Sequence, residues 1–525
     1  MKKYSFLITI ITFAGYLSFS SCTDDFLSAE SAGNLEAGAP ATEEVIFSNL
    51  VSAYQILLFD SYADYNYNSL LLMSDLRSDD CFKGGGSAGD QQQLYNLATF
   101  TSTPSQIIGG LWKIYFVGIA RCNNTILSAE NALEGSNPDN VKRYKAEALF
   151  LRAYYTHLLW KFWGNIPYFT QPLEYPFLAP QYKADEIYAF IMDDIKAAED
   201  LNILPMATKG NEIGRANKAA LLMLKARVVL YQKDAAKYAE ITADMAAIIA
   251  SNEYQLFDDF DKLWESEGEF SSESIFETNQ LPSGRRWGGA WEGYGTNLPA
   301  FISPEGLTDP EEVFKGGWGF SPIRPFLWEQ LFEDKDTRKE GSINNWRGKT
   351  YNPRFQDTGY FNRKYAARIG YNDLPGDQDL NYGNNLRIFR YAETLLNYAE
   401  LVGVLNQSAQ QGVSAQDCFN EVRNRAFNGT APALTINETN LKLEKRREFI
   451  GEGMRFWDLI RWGDAVSILT ENITETTPGV GGKNPVTWTW SRTFTPEKKY
   501  LPIPQNDISK TEGTQFPLIQ NPGWN

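Results

Sequence analysis

Histidine is almost absent from this sequence of 525 residues: the one histidine, His157, lies in the stretch LRAYYTHLLWKFW. Catalytic triads and most zinc sites depend on histidine, and a histidine on an apolar helical face is expected to pack or to cap a neighbouring group. Cysteine is also scarce, and the spacing of Cys81, Cys122 and Cys418 fits no CxxC metal motif. We therefore expect buried thiols rather than a metal centre.

Positive charge is in deficit as well. The chain has 49 lysines and arginines against 65 acidic residues, a formal net charge of -16. Because a phosphate backbone is bound by a basic face, nucleic acid is not an expected partner. Acidic residues are abundant between positions 258 and 269, where a glycosidase could find two carboxylates, but a solvated acidic face explains the same pattern. We predict that the chain is not an enzyme, with a surface glycosidase as the remaining alternative.

Long hydrophobic runs are limited to the N-terminus. Two lysines precede an apolar run at residues 6–17, which is too short to span a bilayer, and two serines precede Cys22. This is the layout of a bacterial lipoprotein signal, in which the cysteine thiol receives diacylglycerol. We predict a signal peptide over residues 1–21, lipidation of Cys22, and a lipidated tether over residues 22–41.

Most of the remaining chain has helical periodicity, organised around a helical hairpin at residues 215–250. Leu221, Leu224, Val228 and Tyr231 recur at helical spacing, and small residues on the inner faces allow two helices to approach closely. Such a hairpin cannot bury its apolar stripe alone, so the chain should repeat the unit. Further helices are predicted at residues 42–59, 111–130, 141–163, 185–201, 387–404, 414–427, 441–450 and 454–460.

Between residues 254 and 386 the helical period is lost, and glycine, proline, tryptophan and asparagine accumulate. An insertion of this length in a compact protein is usually functional. The predicted fold class is mainly α, a tetratricopeptide-like solenoid of helical hairpins with a large loop-rich inserted layer. We divide it into an N-terminal helical part (42–253), the insertion and ligand face (254–386), and C-terminal hairpins with an irregular tail (387–525), together one compact unit.

Aromatic residues in the glycine-rich part of the insertion are the main candidates for a binding site. Sugars present flat faces of C–H groups, which stack on exposed aromatic rings. The sequence therefore predicts an oligosaccharide-binding surface. The alternative for part of this set is that the rings pack the loop layer onto the helices. The candidates are Trp287, Trp291, Tyr294 and Trp318.

An irregular loop at residues 74–89 provides candidate polar groups for the hydroxyl rim of a sugar. Asp79 and Asp80 can accept hydrogen bonds, Lys83 can donate, and Gly84–Gly86 would let a ligand approach the backbone. A solvated turn with local ion pairs is the alternative. No cofactor is expected; the acidic runs at 258–261 and 373–379 are weak candidates for structural Ca²⁺ because neither matches an EF-hand loop.

Several segments together resemble one family, the SusD/RagB outer-membrane lipoproteins. The resemblance spans nearly the whole chain in order. It is based on Cys22 followed by TDDFL and on the segments WKIYFVGIARCNN, EALFLRAYYTHLLWKFWGNIP, GRANKAALLMLKARVVLY, RYAETLLNYAE, EKRREFIGEGMRFWDLIRWGD, LPIPQND and QNPGWN.

The resemblance implies a lipid-anchored protein on the outer face of the outer membrane. It implies four tetratricopeptide-like hairpins and a TonB-dependent, SusC-like transporter as partner, to which captured oligosaccharide is delivered by a lid motion. A peptide-binding, RagB-like importer subunit is the alternative. In a starch-binding member the loop matching residues 78–90 carries aromatic platforms, which Lys83 and three glycines replace here, so starch is not expected. Glu448, Arg455, Trp457 and Arg461 are expected to lock helices together.

Overall fold

The N-terminal part of the chain is built from consecutive helices that pack against one another. The computed structural model describes residues 39–59, 61–63, 66, 67, 69–289, 291–480 and 483–524. The predicted signal peptide (1–21), Cys22 and the tether up to residue 38 lie outside the described residues. In chain order the helices are α1 (Glu43–Tyr54), α2 (Leu70–Asp75), α3 (Gln92–Thr99), α4 (Gly110–Glu130), α5 (Pro138–Trp163), α6 (Ala184–Asp200), α7 (Lys218–Gln232) and α8 (Tyr238–Ala250).

Local sequence sets the ends of these helices. The side chain of Asn137 accepts a hydrogen bond from the Asp139 N–H (3.0 Å), so α5 begins at Pro138, a few residues before the predicted start. Helix α5 ends at Gly164, which has a positive φ of 68°. Asn217 caps α7 through the Ala220 N–H, and α7 and α8 form the hairpin predicted at residues 215–250.

The inserted layer contains only short elements. It holds α9 (Leu298–Ile302) and α10 (Arg338–Ser342), and its strands form two-stranded antiparallel ribbons. The strands of the whole described chain are β1 (Tyr62–Ala63), β2 (Asn66–Tyr67), β3 (Ile166–Pro167), β4 (Gln181–Tyr182), β5 (Ser274–Glu277), β6 (Glu305–Thr308), β7 (Ile343–Asn345), β8 (Thr350–Asn352), β9 (Tyr360–Asn362), β10 (Arg387–Arg390), β11 (Glu471–Thr477) and β12 (Val486–Arg492). The ribbons β6–β8 and β7–β9 lie within the insertion, and β5 of the insertion pairs with β10 just after it. The ribbons β1–β2, β3–β4 and β11–β12 lie outside the insertion.

The helical solenoid resumes after the insertion. Helix α11 packs against α8, although the whole loop-rich layer separates them in sequence, and it also packs against α12. The loop layer is therefore a true insertion, and the predicted mainly α hairpin fold is confirmed. Residues Ala41–Asn525 form one compact unit. The C-terminal helices are α11 (Tyr391–Gly403), α12 (Ala415–Ala426), α13 (Glu438–Phe449), α14 (Arg455–Trp462), α15 (Ala465–Leu469) and α16 (Gln505–Thr511).

A buried ionic network joins the C-terminal helices to the rest of the fold. Glu448, fully buried on α13, accepts hydrogen bonds from Arg338 (3.2 Å), Arg390 (3.1 Å) and Arg425 (2.6 Å). The structural role predicted for the motif around Glu448 is confirmed. The other members also make long-range contacts: Arg455 with Asp79 (2.8 Å), Trp457 with Ser74 (3.0 Å) and Arg461 with Glu400 (2.8 Å).

Two further expectations concern single side chains and membrane crossing. Cys81, Cys122 and Cys418 are buried free thiols, as predicted. His157 is buried, and its Nδ1 lies 3.2 Å from the carbonyl oxygen of Tyr154, one turn earlier on the same helix, α5. None of the helices in the described part of the chain has both the length and the apolar character that a bilayer crossing requires.

Candidate functional site

Aromatic rings from three distant parts of the chain meet on the loop layer. We define the aromatic cluster as Tyr62, Tyr67, Trp287, Phe301 and Trp318. The rings of Trp287 and Trp318 lie nearly parallel, with centroids 5.9 Å apart and an angle of 24° between planes. Tyr67 meets both indoles edge-on, at centroid distances of 6.5 and 5.7 Å. The structure therefore brings two of the four predicted aromatic residues together, in contact with β1, β2 and α9.

Trp287 is held through its backbone, which leaves part of its ring in solvent. Its N–H donates to Asp377 Oδ2 (2.8 Å), and its carbonyl oxygen accepts a hydrogen bond from the Tyr62 hydroxyl (2.9 Å). The residue is 39% exposed. A ring that is fixed in position and still open to solvent loses little conformational entropy when a ligand binds to it.

The loop that carries Trp287 is anchored by Arg285, two positions before it. The buried side chain of Arg285 donates to the carbonyl oxygens of Leu58 (2.5 Å), Gly295 (2.7 Å) and Tyr62. The Asn381 side chain accepts from the Arg285 N–H (2.9 Å) and donates to its carbonyl oxygen (2.9 Å). The first arginine of the sequence GRRW thus has a structural role that fixes the loop carrying Trp287, two positions further on.

Trp318 forms the half-buried side of the cluster. Its ring packs against Phe301 (5.3 Å between centroids), and its Nε1–H donates to Asp379 Oδ2 at 3.3 Å. The carbonyl oxygen of Trp318 accepts a hydrogen bond from Arg354 (2.7 Å). Arg354 also lies 3.6 Å from Asp90 and 3.5 Å from Glu305. Partly exposed charged groups therefore surround the rings.

Sequence reasoning missed the polar groups beside the cluster. The pKa of the Tyr67 hydroxyl is raised by burial and then by the charges of Tyr62, Asp90 and Asp379. Asp90 and Asp379 are partly exposed hydrogen-bond acceptors, and Arg354 is a partly exposed donor. The only sequence signal was the tyrosine-rich stretch YADYNYN around Tyr67, which has no periodicity that would place it in the core.

The expectation of an exposed rim at Asp79, Asp80 and Lys83 is not met, because all three side chains are buried. Asp79 pairs with Arg446 and Arg455 (2.8 Å each), and Asp80 pairs with Arg446 (2.7 Å). Burial would raise the pKa of Asp79, but the two guanidinium groups outweigh it and lower the pKa well below its ordinary value. These carboxylates tie the loop to α13 and α14.

Lys83 is directed back into its own loop. Its ammonium donates to the carbonyl oxygens of Ser87 (2.7 Å) and Asp90, and lies 4.8 Å from the ring centroid of Phe320. A lysine with these partners stabilises the loop and has little capacity left to bind a ligand. The alternative of a solvated turn with local ion pairs is not met either, because Asp79 and Asp80 are buried and their partners, Arg446 and Arg455, are distant in sequence.

The glycines of this loop accommodate protein rather than ligand. A Cβ atom at Gly84 would lie 2.3 Å from the carbonyl oxygen of Gly319, and one at Gly85 would lie 2.5 Å from the Phe320 ring. The expected approach of a ligand to Gly84–Gly86 is therefore replaced by a second segment that leads directly into Trp318. Hydrogen bonds between the segments include Phe82 N to Pro322 O (2.9 Å), Ser321 N to Lys83 O (3.0 Å) and Gly85 N to Gly319 O (2.8 Å).

We predict that Gly84→Ala will lower stability and weaken ligand binding together. Gly84 has a φ of +71° and no room for a methyl group, whereas Gly210 has a φ of +59° and no atom within 4 Å of an added Cβ. Gly210→Ala should show only the strain of a positive φ, about 1–2 kcal/mol. Urea unfolding should give a clearly larger loss for Gly84→Ala, and equal losses would contradict the packing role.

Trp291 and Tyr294 lie on the same loop, but no described ring contact joins them to the aromatic cluster. Trp291 is half-buried and packs edge-on against Phe59, with centroids 5.4 Å apart. Tyr294 is 46% exposed and lies beside Gly284. Trp291 thus packs the loop layer onto the helical part, and Tyr294 is available to extend the exposed surface.

The described residues provide little for metal or hydrolytic chemistry. No group of three or more His, Cys, Asp or Glu residues among them is placed to hold a metal ion. Residues Gly85–Gly89, GGSAG, match the letters of the hydrolase motif Gly-x-Ser-x-Gly but lack the strand–turn–helix context that the motif requires. Ser87 Oγ accepts a hydrogen bond from the Asp90 N–H (3.2 Å), a contact within its own loop. His157, the one histidine of the sequence, is buried, and burial lowers its pKa well below the ordinary value.

A hairpin solenoid that carries stacked, partly exposed indoles on an inserted loop layer defines a class of helical-repeat binding proteins. The chain belongs to the SusD family. Residues 273–524 match the SusD family, and residues 25–230 match a SusD-like family described as starch-binding associating with outer membrane.

Similar solved structures include surface glycan-binding protein A from Bacteroides fluxus, with 57% identity, a TM-score of 0.86, and coverage of 92% of this chain and 100% of that chain. The corresponding protein from Bacteroides thetaiotaomicron, in complex with laminarihexaose, has 36% identity, a TM-score of 0.81, and coverage of 92% and 100%. SusD-like protein P38 of Formosa agariphila is 24% identical over 75% of this chain and 80% of its own length.

Proposed function

We propose that the chain binds neutral glucan oligosaccharides of the laminarin type at the aromatic cluster. The observation that carries this proposal is the pair of nearly parallel indoles, Trp287 and Trp318, with one ring open to solvent. A similar structure was determined with laminarihexaose, and another protein of 26% identity, with a TM-score of 0.77 and coverage of 93% of this chain and 100% of that chain, is a laminarin-binding SusD-like protein.

The groups around the rings support a neutral sugar as ligand. Asp90 and Asp379 can accept hydrogen bonds from sugar hydroxyls, and Arg354 can donate to them. Asp379 accepts a hydrogen bond from the Trp318 indole, and Asp90 lies 3.6 Å from Arg354, which itself donates to the Trp318 carbonyl oxygen. A uronic acid or sulfated sugar would add negative charge next to these carboxylates and be repelled, whereas an uncharged glucan would not.

Isothermal titration calorimetry of the protein with a panel of glycans tests this proposal. Laminarihexaose should bind, whereas maltohexaose, an oligogalacturonate and a mixed peptide pool should bind weakly or not at all. Binding of the peptide pool without any glycan would favour the peptide-importer alternative. Failure of laminarihexaose to bind, whatever the other glycans do, would overturn the proposal.

We further propose that binding is not coupled to hydrolysis. The similar structures are described as surface glycan-binding proteins. Incubation with laminarin should release no new reducing ends. A steady increase in reducing sugar with purified protein would instead establish the glycosidase alternative.

The proposed location is the outer face of the outer membrane, with an acylated Cys22 as the anchor. Each buried methylene of an acyl chain contributes about 0.8 kcal/mol, so a multiply acylated cysteine binds a membrane firmly. In this position the chain would pass glycan to a SusC-like, TonB-dependent transporter. The family description that mentions the outer membrane, and the lipoprotein-like N-terminal sequence, support this placement.

We predict that Cys22→Ala will release the protein from the membrane while leaving glycan affinity unchanged. The substitution removes the acylated thiol and alters no residue of the aromatic cluster. Cell fractionation with immunoblotting measures the release, and Cys81→Ala, which changes a buried thiol, should remain membrane-bound. Retention of the Cys22→Ala protein in the membrane fraction would contradict lipid anchoring.

A further inference from the structure

A small cavity of about 40 Å³ lies where α5, α7, α11 and α14 meet. None of its lining residues belongs to the aromatic cluster, and the proposed glycan function makes no use of it. A single water needs roughly 10–15 Å³ of such space, so the cavity has room for a small ion or a few waters. Its wall includes Lys161, Arg227, Tyr231, Glu393, Asn397, Trp457 and Asp458.

Lys161 is a buried residue in this wall whose ammonium is in no direct ion pair among the described residues, although Glu393 and Asp458 both interact with it electrostatically. The residue is 8% exposed, and no hydrogen bond or ion pair of its ammonium occurs among the described residues. Its recorded contact is with the ring of Trp457, at 4.4 Å from the centroid. Removing an ammonium group from water without a paired anion is costly, so such a group favours either a neutral form or a bound anion.

Asn397 directs a second unsatisfied donor into the same wall. Its Oδ1 accepts a hydrogen bond from Lys445 (2.8 Å), which fixes the orientation of the amide. The Nδ2 group is therefore the free end, and it is buried without a partner among the described residues. The hydroxyl of Tyr231, another residue of this wall, is also buried without a partner. Buried donors without partners indicate a missing acceptor.

The acidic residues of the wall are already neutralised. Glu393 is bound by Arg227 (2.6 Å), and Asp458 is bound by Arg461 (2.7 Å). Both carboxylates of the wall therefore have an arginine partner, and the Lys161 ammonium has no ion-pair partner among the described residues. This arrangement is unusual in a chain with a net charge of -16, in which acidic partners are plentiful.

We propose that this cavity binds a small monovalent anion, a halide or a formate-sized carboxylate, held by the Lys161 ammonium and the Asn397 amide. The anion would supply the acceptor that both donors lack and would stabilise the junction of α5, α7, α11 and α14. Burial and then the nearby Arg227 lower the pKa of Lys161 to about 7, against the opposing effect of Glu393 and Asp458, and a bound anion would raise it by favouring the charged ammonium.

Crystals grown in sodium bromide test the site directly, through the anomalous scattering of bromide. The wild-type protein should show an anomalous peak in the cavity within hydrogen-bond distance of Lys161 Nζ and Asn397 Nδ2, and Lys161→Gln should lose it. In solution at about neutral pH, the melting temperature of the wild type should rise more with added bromide than that of Lys161→Gln.

Lys196→Gln is the matched control, because Lys196 is an exposed lysine paired with Asp200 on α6. It should respond to bromide as the wild type does, which separates site binding from general salt effects. A wild-type map without an anomalous peak at high bromide would overturn the proposal. So would a peak that persists in Lys161→Gln, or equal bromide responses of the wild type and that variant. The wild-type map also decides the question if Lys161→Gln fails to fold.

Discussion

Trp287→Ala is expected to lower the affinity for laminarihexaose by tenfold to a hundredfold, equivalent to about 1.4–2.8 kcal/mol. Trp287 provides the solvent-facing ring of the cluster, and its backbone is fixed at both polar groups by Asp377 and Tyr62. Truncation removes the stacking surface without releasing the loop. Calorimetric titration measures the loss, and retardation in laminarin gels should disappear.

The same variant should leave stability nearly unchanged, because the ring is 39% exposed and its backbone contacts remain. Trp291→Ala should behave in the opposite way, with reduced stability and a smaller loss of affinity, since Trp291 packs against Phe59. Tyr175→Ala is a control for removing an exposed ring, at 87% exposure in a different loop. Wild-type affinity in Trp287→Ala, or a large fall in its melting temperature, would contradict the proposed site.

The helical solenoid could be predicted because its signal is local. Apolar residues at helical spacing and small residues at crossings are read from a short window, and the structure places α7 and α8 within the predicted hairpin. The insertion was recognised by the loss of that signal. Its internal ribbons were not predicted, because strands of three or four residues carry too little pattern to be distinguished from loops.

The division of the aromatic residues could not be predicted, because exposure in the loop layer depends on distant contacts. Trp287 is positioned by a hydrogen bond from Tyr62, a residue 225 positions away in sequence. Trp291, on the same loop, is half-buried because its ring packs against Phe59. Composition therefore pointed to the loop that carries the proposed site, and long-range packing decides which of its rings face solvent.

The residues predicted to form a polar rim were expected to be exposed, and the structure buries them. Asp79 and Asp80 occur in an irregular, glycine-rich segment, which is the usual setting of exposed charges. Their partners, Arg446 and Arg455, lie more than 360 positions away and bury them. A local reading assigns such carboxylates to solvent, because it has no access to the helices that close over them. The residues that do surround the rings, such as Asp379 and Arg354, have no local feature that distinguishes them.

Glu448→Gln is expected to destabilise the protein by about 3–5 kcal/mol, the usual cost of removing one partner from a buried ion pair. Glu448 is fully buried between Arg338, Arg390 and Arg425, and glutamine preserves its shape while removing its charge. Three guanidinium groups would then share fewer carboxylates in a region from which water is excluded. Urea unfolding at neutral pH measures the loss.

Glu438→Gln provides the matched control, because Glu438 lies on the same helix with its side chain 67% exposed and pairs only with Lys442 among the described residues. Its loss should be at most about 1 kcal/mol. Comparable losses for the two variants would contradict a central role for the network.

Acid titration gives an independent test of the same network. Burial would raise the pKa of Glu448, but Arg425, Arg390 and Arg338 outweigh it and lower the pKa far below its ordinary value of about 4.3. A carboxylate with a lowered folded-state pKa contributes its full stability above the unfolded-state value and loses it as the pH falls below that value. The stability difference between the wild type and Glu448→Gln should therefore shrink as the pH falls below about 4. A difference that stays constant down to the acid transition would show that the charge of Glu448 is not what stabilises this junction.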